Sequence, residues 1–488
     1  MGRRSLPSRP LKHVHIRRRG GLSCRPSARG LISILRYGYP WPGLTALEGI
    51  SELQPGCWLR RGSDGTERAG RYWSPPDRVD EEAGPIDRAG AELLRLLDAS
   101  VGDRLAADVP LGLFLSGGID SGATAASAAI SRPDIQAVSV RFGQSGYDES
   151  ALASATAAHV GIRLTVESGD PETFSRERFD RLLSHYGQPF YDTSAIPTNV
   201  VSRAARRHFK VVLSGDGGDE LLAGYFAESR NLRIAQFARI VGGSLLPWAR
   251  VSMLGRALLP EREAMSLALM RAVADDSVCH ELCGVMDDTM VLELLSGTPW
   301  EVTGREHIRV ARDEAREHHR QAKDATLAIS LFQLRHSLPQ DILAKVDRMS
   351  MAESLEVRAP FLDSRLAAYA LALPAHLKVA RGRGKYILRR ALRGRLPERV
   401  LLAPKTGFGL PVGKWLGDGF WAALQHELQS YEADSAAELN VVALRRRIIA
   451  DHETCRRKND FRALHRCVLL YGFLRWRAQL VRPVTHIH

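Results

Sequence analysis

Cysteine is scarce in this chain: six in 488 residues, at irregular spacings. That is no disulfide framework for a chain of this length, and it fits thiols kept reduced in a cytoplasm. Long apolar runs are missing too, because no stretch approaches the ~20 residues that a spanning helix needs. The N-terminus lacks the sustained apolar segment of a secretory signal. Acidic residues fall short of basic ones, 55 against 68, leaving a net charge of +13. A basic chain raises the question of nucleic acid, yet no nucleic-acid motif is recognisable. The excess sits in the first 30 residues and in dispersed clusters such as Arg445-Arg446-Arg447 and Arg456-Arg457-Lys458, which read as solvated helix surface. Neither nucleic acid nor membrane is an expected partner. Internal repeats and low-complexity tracts are also absent.

What is present is core-forming material, 44% hydrophobic residues, in a regular order. Residues 1–30 are Arg-, Gly- and Ser-rich without apolar periodicity and read as a disordered leader. After a Pro-rich boundary at Ser74-Pro75-Pro76, a helix is expected from about Ile86 to Arg104. Strands follow near Leu113, at Val138–Phe142, Arg163–Val166 and Val211, with helices at Glu149–Val160 and Thr198–His208 between them. Strands alternating with helices of this length predict right-handed crossovers and a parallel sheet. Beyond Tyr225 strand signals fade into a largely helical half, with Leu258–Gly297 reading as a helical insert. The fold class is therefore α/β.

Chemistry concentrates in four segments. Leu113-Phe114-Leu115-Ser116-Gly117-Gly118-Ile119-Asp120-Ser121 is an apolar strand, a glycine turn carrying hydroxyls, and a helix start. Such a turn aims N–H groups and the positive helix end at one point, which suits phosphate. No lysine follows the glycines, so this is not the G-x-x-x-x-G-K-[ST] loop. The segment Val211–Tyr225 again ends an apolar run in Ser214-Gly215, then places Asp216, Asp219 and Glu220 among glycines. Like charges so close make a poor structural loop but a sensible one around Mg²⁺, which takes oxygen ligands and phosphates together. Asp341–Leu355 has helical spacing and leads through a charged cluster (Lys345, Asp347, Arg348, Glu356, Arg358) to Pro360-Phe361-Leu362-Asp363. Taken alone, it reads equally as an amphipathic helix with a solvated face. Last come Gly384-Lys385-Tyr386-Ile387-Leu388-Arg389-Arg390-Ala391 and Pro404-Lys405-Thr406-Gly407-Phe408, a loop that brackets a lysine.

In order, spacing and wording these segments resemble the synthetase domain of the glutamine-dependent asparagine synthetases, from about Asp87 to Trp476. The resemblance implies a parallel sheet of the ATP-pyrophosphatase type, with ATP as co-substrate and Mg²⁺ as cofactor. It implies that Ser116, Gly117, Gly118 and Ser121 hold pyrophosphate, and that Asp120 and Asp219 bind the metal. Ser214 and Gly215 would line the nucleotide, and Asp216 would stand beside the acyl-adenylate. Lys405 would stabilise the transferring phosphate, and Glu356 would match a catalytic glutamate of related cyclising enzymes. Asp347 and Arg348 would shape the pocket.

The implied reaction adenylates the side-chain carboxylate of aspartate. Ammonia then gives asparagine, AMP and pyrophosphate. Residues 31–80 resemble the closing part of the family's glutaminase domain, but Gly2 stands where that domain has its nucleophilic cysteine. Glutaminase activity is therefore not expected. A shortened member using free ammonia or a separate glutaminase subunit, and a start site recorded inside a longer product, both remain open, as does a homodimer. So do β-lactam or peptide cyclisation on the same architecture, a specialised amidotransferase of a biosynthetic gene cluster, and a non-enzymatic scaffold. Cys279-His280-Glu281-Leu282-Cys283, His318-His319 and the terminal histidines read as ordinary core or surface residues.

Overall fold

The computed structural model describes residues 25–143, 148–169, 176–225, 279–280, 284–322, 324–404, 412–434, 438–458 and 460–481. Its first helix, α1 (Ala28–Tyr37), starts where the Ser27 hydroxyl accepts from the Gly30 N–H (3.2 Å) and stops at Gly38 in the left-handed region. The expected end of the leader at residue 30 thus falls inside this helix. A mostly exposed antiparallel pair follows, β1 (Cys57–Arg61) with β2 (Glu67–Arg71). Neither strand has an alternating apolar face, and neither is legible by periodicity.

Helix α2 (Ile86–Arg104) matches its sequence expectation and leads to β3 (Leu111–Phe114). Helix α3 (Ile119–Ser131) follows, then β4 (Gln136–Arg141), α4 (Ser150–Val160), β5 (Arg163–Ser168), α5 (Ala195–Arg206) and β6 (Val211–Leu213). These strands and a late one, β7 (Glu356–Arg358), form a parallel sheet of order β5-β4-β3-β6-β7. Pairing puts Leu113 beside both Ala137 and Leu213. The chain enters the sheet at its centre, builds outward to β5, then returns to the other side of β3. The loops after β3 and β6 are therefore adjacent and diverge, which opens a crevice at the strand C-termini.

Strand β7 departs from the helical expectation for the second half. The segment expected as one helix begins as a π-helical stretch, Leu338–Leu343, and continues as an α-helix over Ala344–Met351. It then turns at Ser354 and enters the sheet beside β6. Three residues of Glu-Val-Arg carry no strand pattern of their own; pairing with β6 imposes it.

The helical half includes α6 (Glu301–Ala322), α7 (Ala325–Arg335), α8 (Ala344–Met351), α9 (Tyr386–Ala391), α10 (Val441–Lys458) and α11 (Phe461–Val481). Of the expected insert, residues 258–278 and 281–283 lie outside the described part, while Asp288–Leu295 is a helix burying Val291, Leu294 and Leu295. His280 is fully buried, held by the Tyr37 hydroxyl at Nδ1 (2.8 Å) and by Asp288 at Nε2 (2.9 Å). The Arg36 guanidinium reaches Asp288 and donates to the His280 and Met286 carbonyls. This network ties α1 to the helical half, and Tyr37, Tyr39 and Trp41 enter the same apolar core as the sheet. Among the described residues no helix is long and apolar enough to cross a membrane, and Cys57, Cys455 and Cys467 are free.

Candidate active site

The crevice between β3 and β6 deepens into a cavity of about 490 Å³. Residues 114–121 form one wall, Ser214–Gly217 with Asp219 and Glu220 form the facing wall, and Lys345 and Lys385 reach in from the helical half. Of the residues singled out from the sequence, Ser116, Gly117, Gly118, Asp120, Ser121, Ser214, Gly215, Asp216 and Asp219 all line it.

The first loop is closed on itself by its hydroxyls. Ser116 and Ser121 Oγ lie 2.9 Å apart, the Ser116 N–H donates to Ser121 Oγ, and the Gly118 N–H donates to Ser116 Oγ. The Gly117 N–H is taken by a Glu149 carboxylate oxygen at 3.1 Å. A carboxylate thus occupies a donor suited to a phosphate oxygen. Helix α3 starts at Gly118 and presents its N-terminus to the cavity. Ten consecutive residues, from Ile119 to Ala128, are buried, and the alanines let the helix lie close against its neighbours.

The second loop packs directly on the first. A Cβ at Gly215 would stand 2.8 Å from both the Ser121 N and the Asp120 Cβ, so no larger residue fits there without moving the phosphate-type loop. At Gly224 a Cβ would meet Asp219 Oδ1 at 2.0 Å and Lys385 Cε at 2.2 Å. Both glycines are needed for close approach.

Lys385 joins the two loops. It is only 2% exposed, and its ammonium contacts the Asp120 carboxylate and, at 2.6 Å, Asp219 Oδ1. Burial alone would lower its pKa, but the two adjacent carboxylates outweigh burial and raise it, so it stays charged. Its own backbone is left-handed (φ 57°), directly before α9. Sequence reading noted the Lys385 motif without giving the lysine a role; the signal was the motif, and the missing information was the distance to Asp120.

Asp216 accepts from the Ser214 hydroxyl at 2.7 Å, and burial raises its pKa against that hydrogen bond. Glu220 is pushed up to about 7 by burial and by the charge of Asp219, and it accepts from the Tyr225 hydroxyl. On the other side Lys345 contacts Asp192 at 2.5 Å and Ser194 Oγ at 2.7 Å. Asp341 lies next to that pair, accepts from the Tyr191 hydroxyl at 2.7 Å, and is raised to about 7 by burial and by Asp192. Asp192 and Ser194 sit in a short polar stretch that carries no motif, and sequence reading missed them.

Four assignments fare differently. Glu356 is not brought to the cavity. It starts β7, opposite Val211 at the far end of β6, and its side chain is 55% exposed and paired with Arg358 at 2.7 Å. A parallel strand sends its first residue away from the C-terminal crevice, so position in the motif did not translate into position in the site. Asp347 is likewise exposed, and Arg348 donates to the Tyr186 carbonyl outside the cavity lining. Lys405 lies outside the described residues; Pro404 just before it lines the cavity.

Comparison with known proteins agrees with this geometry. The asparagine synthase family profile matches residues 92–478. Asparagine synthetase (glutamine-hydrolyzing) 1 of Bacillus subtilis is 30% identical over 420 residues, 84% of this chain and 62% of that protein. A Mycobacterium bovis chain, provisionally named as the same kind of synthetase, is 31% identical over 459 residues, 92% of this chain and 67% of its own. Amidase chyE of Penicillium rubens is 25% identical over 425 residues, 76% of this chain and 60% of that protein. The chain thus spans about two thirds of the length of the curated relatives it matches. With its facing Ser-Gly loops and a profile match over most of its length, the chain belongs to the asparagine synthase family.

Proposed function

We propose that this chain makes amides at the expense of ATP, activating the side-chain carboxylate of aspartate as an adenylate and passing it to ammonia. The observation that carries the reading is the pairing of two Ser-Gly loops across one cavity, with Asp120 and Asp219 converging on a single cation, the Lys385 ammonium.

Ser116, Gly117, Gly118 and Ser121 hold the pyrophosphate portion of ATP, with Glu149 giving up the Gly117 N–H as the nucleotide enters. Two carboxylates aimed at one cation, with serine hydroxyls nearby, form an oxygen-only donor set that fits Mg²⁺. Asp120 and Asp219 would hold the ion, which supplies charge to neutralise the ATP phosphates when bound. A carboxylate oxygen of aspartate attacks the α-phosphorus, the α–β phosphoanhydride bond breaks, and pyrophosphate leaves. Ammonia then attacks the acyl carbon, the bond to AMP breaks, and nitrogen sheds a proton. Asp216, half-buried and raised in pKa, is placed to take that proton. Lys405 steadies charge on the transferring phosphate. The apolar wall (Phe114, Val138, Phe142) limits water that would hydrolyse the adenylate.

A second reading, amide formation on a specialised carboxylate, draws support from the similarity to amidase chyE. Pyrophosphate release from ATP and Mg²⁺ separates the two readings. Release that depends on L-aspartate, with ammonium giving AMP and asparagine, supports the first. Release that ignores aspartate but responds to another carboxylate supports the second. Glutamine in place of ammonium is expected to give little product from this chain alone, and efficient use of it would overturn the ammonia-dependent reading.

A further inference from the structure

Away from the cavity, α6, α7 and the N-terminal segment bring Glu314, His318 and His336 together, each offering a ligand atom within 4.8 Å of the others. Glu314 and His318 are four residues apart on α6, so they share one face of that helix. His336 caps the C-terminus of α7 and is only 1% exposed.

Among the described residues, neither ring nitrogen of His336 has a hydrogen-bond partner, nor does Nδ1 of His318. A neutral imidazole carries one donor and one acceptor. Leaving such groups buried and unmatched is costly. Burial holds both imidazoles below their ordinary pKa, His318 at about 4, so they stay neutral and able to ligate near pH 7.

The surroundings orient these groups as supporting residues orient metal ligands. The Trp41 indole N–H donates to Glu314 Oε2 at 3.1 Å. The Trp41 ring lies 4.2 Å from the His336 ring, centroid to centroid, and the Phe332 ring stacks on His336 at 4.3 Å. Arg335 is an adjacent charge that works against a cation.

We propose that Glu314, His318 and His336 form a binding site for a divalent transition ion of the zinc type. Two imidazoles and one carboxylate are a donor set such ions accept, with water completing a tetrahedron. Mg²⁺ is disfavoured, because it prefers oxygen ligands alone. The site joins α6 and α7 beneath Trp41, so its occupancy tightens the contact between the N-terminal segment and the helical half.

The test is titration of chelator-stripped full-length protein with Zn²⁺ against a competing chromophore, repeated with Co²⁺ to read the ligand-field spectrum. The parent is expected to bind one equivalent in this way, and His318→Ala and Glu314→Gln to lose at least ~10-fold in affinity. His318 is half-buried, so its replacement keeps the test sound where His336→Ala fails to fold. A variant with His13, His15, His486 and His488 all changed to Ala should retain the site. Absence of stoichiometric binding in the parent would overturn the proposal, leaving a water as the partner of His336. So would unchanged affinity in His318→Ala, or loss of binding in the terminal-histidine variant.

Discussion

Two lysines, one buried and one half-buried, face the cavity from opposite sides, and they are not equivalent. Lys385 is shared by Asp120 and Asp219, so two carboxylates meet one ammonium there, with Arg389 also lining the cavity. Lys345 meets one carboxylate, Asp192, and a hydroxyl, Ser194, while the neighbouring Asp341 has a raised pKa. The first corner offers two carboxylates to a divalent cation and the phosphates it accompanies. The second is close to neutral and suits a structural wall of the substrate space. The number of carboxylates that meet it, more than the presence of a lysine, separates a corner built to attract an ion from one built to hold shape.

That contrast can be broken most severely at Lys385. Lys385→Met leaves two buried carboxylates without their shared cation and should cost about 3–5 kcal/mol of stability, read as a fall in denaturation midpoint. Added Mg²⁺ should recover part of it, and no recovery would count against a cation at that corner. Asp120→Asn should keep the fold, since Lys385 retains Asp219. Pyrophosphate release should nonetheless fall at least ~100-fold, about 3 kcal/mol in barrier. Full activity in this variant would sink the assignment.

Lys345→Met removes one pairing instead of two. Its cost should lie at the lower end, about 3 kcal/mol, and without Mg²⁺ recovery. If the two lysine variants respond alike to Mg²⁺, the contrast between the corners fails.

Asp341 offers a pH-dependent probe of the neutral corner. Its carboxyl holds a proton in the folded state up to about pH 7, against an ordinary value of 3.8. Between those values the folded protein binds more protons than the unfolded chain, so this group's contribution is full below 3.8 and is lost as pH rises through about 7. Asparagine cannot ionise. The melting temperature of Asp341→Asn relative to the parent should therefore climb across that window and level off above it. A flat difference would show that the carboxyl stays ionised. Smallest of all, Glu356→Gln is expected to change stability by no more than ~0.5 kcal/mol and to leave turnover intact, because the side chain is exposed and far from the crevice.

Legibility in the sequence differed between the parts of the site for a physical reason. The two Ser-Gly loops are local devices: strand, tight turn and helix start are consecutive, so Ser116–Ser121 and Ser214–Asp219 could be read as loops and found again lining one cavity. Helix α2 and the strands from Leu111 to Leu213 carry their own periodicity and were read within a few residues. Strand β7 was not, since Glu-Val-Arg owes its conformation to β6. Glu356 misled because a motif position says nothing about which end of a strand faces the crevice. The Asp192 and Ser194 contacts of Lys345 were hidden by distance, each lying over 150 residues away from it in the chain.

What the sequence determined by itself was therefore the order of elements, the parallel sheet and the two loops whose backbone chemistry is written in adjacent residues. The tertiary structure alone decided which charges meet. It set Lys385 between Asp120 and Asp219, left Glu356 in solvent, and brought His336 beside Glu314 and His318 under Trp41. Side-chain convergence depends on how helices pack across hundreds of residues. Electrostatic energies change steeply over the few ångströms that only packing specifies.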